Sequence, residues 1–391
     1  MSLGFSKVGI GWQIGVPSGW GTYGVNLAVE LAKRDIEPAL FLLAAKLKLT
    51  EPQIALMRPL VAKQREWHAA AAAGGLQLDF PMLHPMSDGF QFHDILNGLR
   101  GRPNVAVPFF ESAVIPPENI EAAKQFDLVV AGSTWNAEIL NKHGIAPPVR
   151  VCLQGVDLEL FSPGPKAGHF GDRFVVFSGG KLEYRKGQDL VVAAFKQFHA
   201  KRPEALLVTA WHSPWPKVAE GLKASPHVVA TAGVKADGTL DVSSWLVANG
   251  VPPGAFHDVG TMPNAAAPQL MREVDLAVFP NRCEGGTNLV AMEAMACGVP
   301  VALARNTGHL DLIRPDNCYS LDLQIPIGEV TKRPDLAGWG ESSVDELAAV
   351  MERAYADRQD AQRRGAAGAA FMKNWGWNTQ VEHLLVALNE C

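Results

Sequence analysis

Short runs of β-branched and other apolar residues alternate along this 391-residue chain with longer stretches whose apolar positions recur at helical spacing. That alternation predicts parallel strands joined by helices. Residues 8–14 read as a strand, 15–21 as a loop rich in Gly and Pro, 25–33 as a helix ending on a basic residue, and 38–44 as a strand. Residues 104–110 and 127–131 read as buried strands, and 133–142 as a helix with Ser133 or Thr134 available as its N-cap. Over 161–168 the apolar period lapses and turn formers take over, which marks a linker. The pattern then restarts, with strands at 174–177, 205–209, 228–232, 276–279 and 299–302 and helices at 188–199, 218–223, 267–273 and 288–297. A last amphipathic region, 343–356 and then 360 onward, is interrupted at 374–378. The expectation is an α/β protein of two doubly wound, Rossmann-like domains, 1–164 and 165–375, with a closing helix over 376–391 that packs back on the first.

Composition narrows the class. Forty-eight percent of the residues are hydrophobic and 19% charged, enough apolar material for large cores and too much for general disorder. The formal net charge of −5, with no long basic run, argues against nucleic acid as a partner. Five cysteines without C-x-x-C spacing indicate a reducing compartment rather than a disulfide framework or a zinc site. No signal peptide or membrane span is visible, so a cytoplasmic location is expected.

Three segments carry candidate chemistry, each set between a predicted strand and a predicted helix. From Leu289 to Cys297 eight of nine residues are apolar and Glu293 is the exception, a lone carboxylate in a helix buried all round. Its partner is either a structural arginine or backbone donor, or the hydroxyl pair of a ligand. Ahead of it, Gly285 and Gly286 leave backbone amides open before a helix that Thr287 or Asn288 can cap, a setting that attracts phosphate. In the second segment, Lys181 and Lys186 stand five apart, each beside a glycine, Gly180 and Gly187. They can clamp a diphosphate or be solvated surface charges. The third, Gly15-Val16-Pro17-Ser18-Gly19-Trp20-Gly21, can cradle phosphate but lacks the G-x-G-x-x-G spacing of a dinucleotide site.

Taken in order, these residues resemble the retaining nucleotide-sugar glycosyltransferases of the GT-B fold, family 4, also called group 1. Gly19 and Gly21 are similar to the family's N-terminal glycine loop, and Gly155-Val156-Asp157 with Phe161 to its G-V-D-x3-F segment. Lys181 and Lys186-Gly187 fall where its R-x4-K-G pair stands, Glu284 through Pro300 is similar to its acidic signature, and Trp377 resembles the aromatic before its closing helix. The resemblance implies two facing domains, the first for the acceptor and the second for the donor. It implies that Lys181 and Lys186 hold the diphosphate, Glu293 the ribose hydroxyls, and Glu284 with the Gly285-Gly286 loop the donor sugar, so that Lys181, Lys186 and Glu284 are the catalytic candidates, with Gly19, Gly21, Thr287 and Asn288 as further donor contacts.

Two departures stand out. The first basic residue is lysine, a point charge without arginine's fork. The glutamates are nine apart where the family has eight. On one regular helix nine residues put side chains about 180° apart and eight about 80° apart, so Glu284 must precede the helix and the extra residue be absorbed over 285–287. Asn306-Thr307-Gly308-His309-Leu310-Asp311 stands where the family often has a Gly-rich turn, and His309 and Asp311 are candidates to shape a base or sugar pocket, or are merely a surface turn.

The expected activity is thus transfer of a sugar, by resemblance a hexose, from a UDP- or GDP-linked donor with retention of configuration. No cofactor and no metal are expected; the acceptor is a carbohydrate, a lipid-linked or a small molecule, and peripheral contact with a membrane is compatible with it. Glu111, after an apolar run, is the candidate for an acceptor-side or anomeric-side contact, with a structural ion pair as the other reading. His84 and the run Trp211-His212-Ser213-Pro214-Trp215 are further candidates, weighed against plain packing. Competing readings are a non-catalytic nucleotide-sugar binder on the same fold and an NAD-dependent oxidoreductase.

Overall fold

A computed structural model describes residues 3–15, 18–45, 49–92 and 94–391. The chain divides into two compact units, one of residues 1–155, 285–287 and 375–391, the other of 156–284 and 288–374. Residues 156–164, assigned by sequence to the first domain, therefore belong with the second. Their packing explains it: Phe161 is buried, and the Arg272 guanidinium donates twice to the Ser162 carbonyl at 3.1 Å.

The first unit is built from β1 (Lys7–Ile10), α1 (Gly19–Ala32), β2 (Glu37–Leu40), α2 (Glu51–Ala72), β3 (Met82–Met86), β4 (Asn104–Pro108), α3 (Pro117–Ala123), β5 (Leu128–Ala131), α4 (Thr134–Lys142) and β6 (Val149–Val151). Its six strands form one parallel sheet in the order β2-β1-β3-β4-β5-β6. Ser133 caps α4 by accepting the Asn136 N–H, as the sequence suggests. The strand expected over 8–14 ends at Ile10. Helix α1 starts six residues earlier than the apolar period indicates, because Ser18 accepts the Gly21 N–H and caps a first turn made largely of glycine. Val16 and Pro17 of the glycine loop lie outside the described residues.

The second unit holds β7 (Val175–Gly179), α5 (Gln188–His199), β8 (Leu206–Ala210), α6 (Val242–Ala248), β9 (Phe256–Asp258), α7 (Ala267–Met271), β10 (Leu276–Phe279), α8 (Leu289–Ala296), β11 (Val301–Ala304) and β12 (Tyr319–Leu321). A small antiparallel pair follows, β13 (Gln324–Pro326) and β14 (Gly340–Ser342), with α9 (Ile327–Thr331) between them, then α10 (Val344–Ala356) and α11 (Arg358–Met372). The main sheet is parallel, ordered β12-β11-β10-β7-β8-β9. Helix α5 illustrates the packing: Val191, Ala194, Phe195 and Phe198 recur at helical spacing, all buried in the core this sheet shares with α10.

Two expectations fail here. The segment 228–232 is not a strand: the Val229 side chain is exposed, and the Val229 and Ala230 amides donate to the Asn249 side chain rather than to a ladder. The edge position it would have filled is taken by β9. The helix expected over 218–223 is a 3-10 segment, Pro216–Ala224. The final helix, α12 (Trp377–Asn389), groups with the first unit, where Trp377 stacks on Tyr23 at 5.6 Å and the Asn378 carbonyl accepts from Arg34.

In the second sheet the chain leaves β7 toward β8 and β9 on one side and returns through β10, β11 and β12 on the other. The order reverses between β7 and β10, and in open α/β sheets ligands bind outside the carboxyl ends of the strands at such a reversal, where two connections leave the sheet. These are residues 180–187 and 280–288, which contain most of the donor-side residues singled out from the sequence.

Candidate functional site

The β7–α5 connection is short and tightly folded. Gly180 and Gly187 both adopt positive φ, +121° and +70°. A Cβ at Gly187 would run into the Pro280 carbonyl, so only glycine lets the two connections lie against each other there. Between them a single 3-10 turn, Tyr184–Lys186, presents Arg185 and Lys186.

Glu284 is the centre of the cluster, 5% exposed, and its two oxygens have separate partners. Oε1 takes the Lys186 ammonium and the Asn281 side-chain amide. Oε2 takes Arg185 Nη1 at 3.1 Å; the same guanidinium donates to the Cys283 carbonyl at 2.9 Å and, through Nη2, to Glu183 at 2.7 Å. Burial pushes the Glu284 carboxyl up, but Lys186 and Arg185 outweigh it and hold the group down at about 2. Glu284 is therefore ionised. Burial draws the Lys186 ammonium below its usual range, opposed by Glu284.

The backbone around Glu284 is fixed from a third direction. Its N–H donates to Thr307 Oγ1 at 2.8 Å, its carbonyl accepts the Gly308 N–H at 3.0 Å, and Thr307 in turn donates to Asn306 Oδ1. Thr307 holds a φ of +41°, an uncommon conformation for a β-branched residue, while it makes both of these contacts. His309 is fully buried; one ring nitrogen donates to the Ala304 carbonyl and the other accepts from Asn288 Nδ2 at 3.1 Å. Burial lowers its pKa to about 4, so it is neutral.

Asn288, at φ +68°, caps α8 by accepting the Ala291 N–H. Helix α8 begins at Leu289, so Glu284 lies in the loop ahead of it and Glu293 in its second turn. Burial, and after it the Asp157 carboxylate, pushes the Glu293 carboxyl up to about 8. Lys181 is the more accessible lysine, its ammonium 3.7 Å from Glu183 and 5.4 Å from the centre of the exposed Trp215 ring.

The structure thus gathers Lys186, Glu284, Asn288 and His309, with Lys181 on the same connection as Lys186. Gly285, Gly286 and Thr287 follow Glu284 in the chain but group with the first unit, as do Gly19, Gly21 and Glu111. Gly19 and Gly21 occupy the first turn of α1, and Glu111 follows β4, partly exposed. Asp311 is partly exposed at the end of the 3-10 turn that carries His309. His84 is a packing residue: fully buried, it donates to Asn104 Oδ1 and lies edge-on to Phe92, and burial lowers its pKa to about 4. Trp211 is likewise core, edge-on to Trp245. Among the described residues, no group of His, Cys, Asp or Glu is placed to hold a metal ion.

Sequence reasoning passed over Arg185, Asn281 and the buried Arg282. Arg282 forks onto Asp189 (2.8 and 2.6 Å), donates to Glu341 and the Tyr184 carbonyl, and lies 3.9 Å over the Tyr184 ring. It ties the β10 exit to the start of α5 and to β14. The acids that Arg282 meets, Asp189 and Glu341, are distant in sequence, so neither it nor Asn281 carried a signal there.

Residues 172–326 match the family model described as "Glycosyl transferases group 1". Both units have the parallel α/β architecture of the GT-B fold. The chain is 28% identical over 247 residues to a GDP-mannose-dependent alpha-(1-6)-phosphatidylinositol monomannoside mannosyltransferase of Mycolicibacterium smegmatis, covering 60% of this chain and 54% of that one. It is 31% identical over 199 residues to a D-inositol 3-phosphate glycosyltransferase of Thermobispora bispora, covering 48% and 42%. The chain thus spans about half the length of these relatives. Among solved structures, HepE of Anabaena in complex with UDP and glucose matches with a TM-score of 0.66 at 18% identity, over 99% of this chain and 100% of that one. Sucrose-phosphate synthase of Thermosynechococcus elongatus matches at 0.64 and 16%, over 97% of each.

Proposed function

We propose that this protein is a glycosyltransferase that moves a sugar from a UDP- or GDP-linked donor to a carbohydrate, lipid-linked or small-molecule acceptor, with retention of anomeric configuration and without a metal. The observation that carries the reading is the pairing of Lys186 with an ionised Glu284 at the point where the second sheet reverses its strand order, inside the matched family domain. Breaking a glycosyl phosphate bond builds negative charge on the departing diphosphate. Lys181 and Lys186, fixed on one Gly-bounded connection, supply positive charge there in a partly desolvated setting where it counts for most. Glu284 is presented to the donor sugar and Glu293 to the ribose hydroxyls. The acceptor belongs to the first unit, with Glu111 as its candidate contact, and Gly19 and Gly21 are candidate contacts to the donor. The named substrates of the relatives, a mannosylated phosphatidylinositol and an inositol phosphate, support a polyhydroxylated acceptor, lipid-linked in the first case. No helix of the described residues is long and apolar enough to cross a membrane.

A thermal-shift screen of nucleoside diphosphate sugars tests the reading, starting from UDP-glucose and GDP-mannose, since a ligand that binds only the native state raises its apparent stability. Donor hydrolysis or transfer is then measured with and without EDTA. Stabilisation by one donor family followed by EDTA-insensitive turnover is expected. Binding without turnover over a broad acceptor panel would instead select a non-catalytic nucleotide-sugar binder, the alternative that the nine-residue spacing of the glutamates leaves open.

A further inference from the structure

Lys186 has two claims on it. It neutralises Glu284 Oε1, and under the function proposed above, on which this inference rests, it must also meet the donor diphosphate. An ammonium drawn toward phosphate leaves Glu284 a buried carboxylate beside a second anion, the arrangement that most strongly favours protonation. The other carboxylate oxygen already has its own cation. Arg185 reaches Oε2, and its fork is braced at both ends, by the Cys283 carbonyl and by Glu183. The Arg185 backbone is held as well, its carbonyl accepting the Arg282 N–H at 2.7 Å. When Lys186 turns away, Asn281 still donates to Oε1 and Arg185 to Oε2.

We infer that Arg185 is the positioning residue for Glu284: it keeps the carboxylate ionised and aimed while Lys186 serves the diphosphate. The groups facing Glu284 are Lys186 and Arg185 from the β7–α5 connection, Asn281 from its own loop, and Thr307 and His309 from the turn after β11. His309 is neutral, so Arg185 is the cation left to Glu284 in the donor complex. Arg185 also stitches the loop in which the extra residue between the two glutamates is accommodated, because Cys283 and Glu284 are both tied to its one guanidinium.

The test compares wild type, Arg185→Gln and Arg185→Lys by steady-state kinetics across pH, with UDP-glucose or GDP-mannose as donor and folding checked by thermal denaturation. The pH profile of kcat reports the donor complex. In Arg185→Gln its acid limb should move up by about 1 unit or more, the usual effect of removing an adjacent opposite charge. Its kcat should fall about tenfold or more while the donor KM changes less than about threefold, because the diphosphate lysines remain. Arg185→Lys should keep the acid limb near that of wild type and recover only part of kcat, since it restores the charge without the fork. An unmoved acid limb in Arg185→Gln overturns the inference, as does a loss confined to KM, which would make Arg185 a diphosphate contact. If Arg185→Gln does not fold, Arg185→Lys decides: wild-type kcat in that variant overturns the inference. A wild-type protein that neither turns over these donors nor binds UDP or GDP overturns the proposed function itself, an outcome visible before any variant is made.

Discussion

Glu293→Gln separates a structural cost from a ligand contact. Glu293 has a folded pKa of about 8 against an ordinary value of 4.5. Between those two pH values the native state holds a proton that the unfolded state has released, so stability falls as pH rises across that window. At pH 7 about two and a half units separate the solution from the unfolded pKa, and at about 1.4 kcal/mol per unit the native state carries a penalty of roughly 3 kcal/mol relative to acid conditions. At pH 5 the same arithmetic gives a penalty of about 1 kcal/mol. Glutamine keeps the shape and has no proton to lose, so the Gln variant lacks this slope.

Urea denaturation of wild type and Glu293→Gln at pH 5, 6, 7 and 8 measures the difference directly. The variant should gain about 2 kcal/mol on wild type between pH 5 and pH 7, reading only the change in the gap between the two curves. Under the proposed function the same variant should bind UDP or GDP more weakly, because an amide replaces the carboxyl that meets the ribose hydroxyls. Parallel pH-stability curves would refute the burial argument. The expected change in the gap with unchanged nucleotide affinity would leave Glu293 an acid with a raised pKa and no part in binding.

Three further substitutions test other parts of the second unit. Lys186→Ala should lower donor turnover by about tenfold or more through loss of a charge-assisted contact, and unchanged kinetics would reduce the lysine to a partner of Glu284. Arg282→Met should cost about 3–5 kcal/mol in urea denaturation, because it strands Asp189 and Glu341 without their cation; a loss below about 1 kcal/mol would show that the pair is dispensable. Trp215→Ala should weaken donor binding only a few-fold, since an exposed cation–π contact to Lys181 is worth about 0.5–1 kcal/mol, and a loss of turnover far beyond that would give Trp215 a direct contact with substrate.

The alternating βα pattern was legible wherever one element buries a clean apolar face. Strands β5 and β10 and helices α4 and α5 stand within a residue or so of their expected places, because their sequences bury nearly every apolar position. Helix α2 shows the opposite case. Of its 22 residues only Met57 and Ala71 are buried, and its alanines, two arginines and one lysine leave no apolar stripe to read. What holds it is tertiary: Trp67 packs on Phe41 and Phe80, and the His68 ring bonds the Phe41 carbonyl. Segment 228–232 failed for a complementary reason. Its β-branched residues have strand propensity, but Asn249 captures the amides a ladder would need.

The site was legible as far as residue type and spacing carry information. A Gly-bounded pair of lysines and a lone carboxylate in an apolar helix announce themselves because each is costly without a purpose. Arg185 does not, since one more basic residue in a basic loop looks like surface charge. Its role depends on where the Cys283 carbonyl and Glu284 Oε2 come to rest, and that is set by a loop closed from three sides: Gly187 against Pro280, Arg185 against Cys283, and Thr307 against the Glu284 amide. The same closure explains how a ninth residue can enter the spacing between the glutamates. Helix phase constrains only Glu293, which lies on α8; Glu284 is held by hydrogen bonds to other segments, so its aim does not depend on the number of residues between them. Spacing is informative within a helix and silent across a loop whose ends are pinned elsewhere.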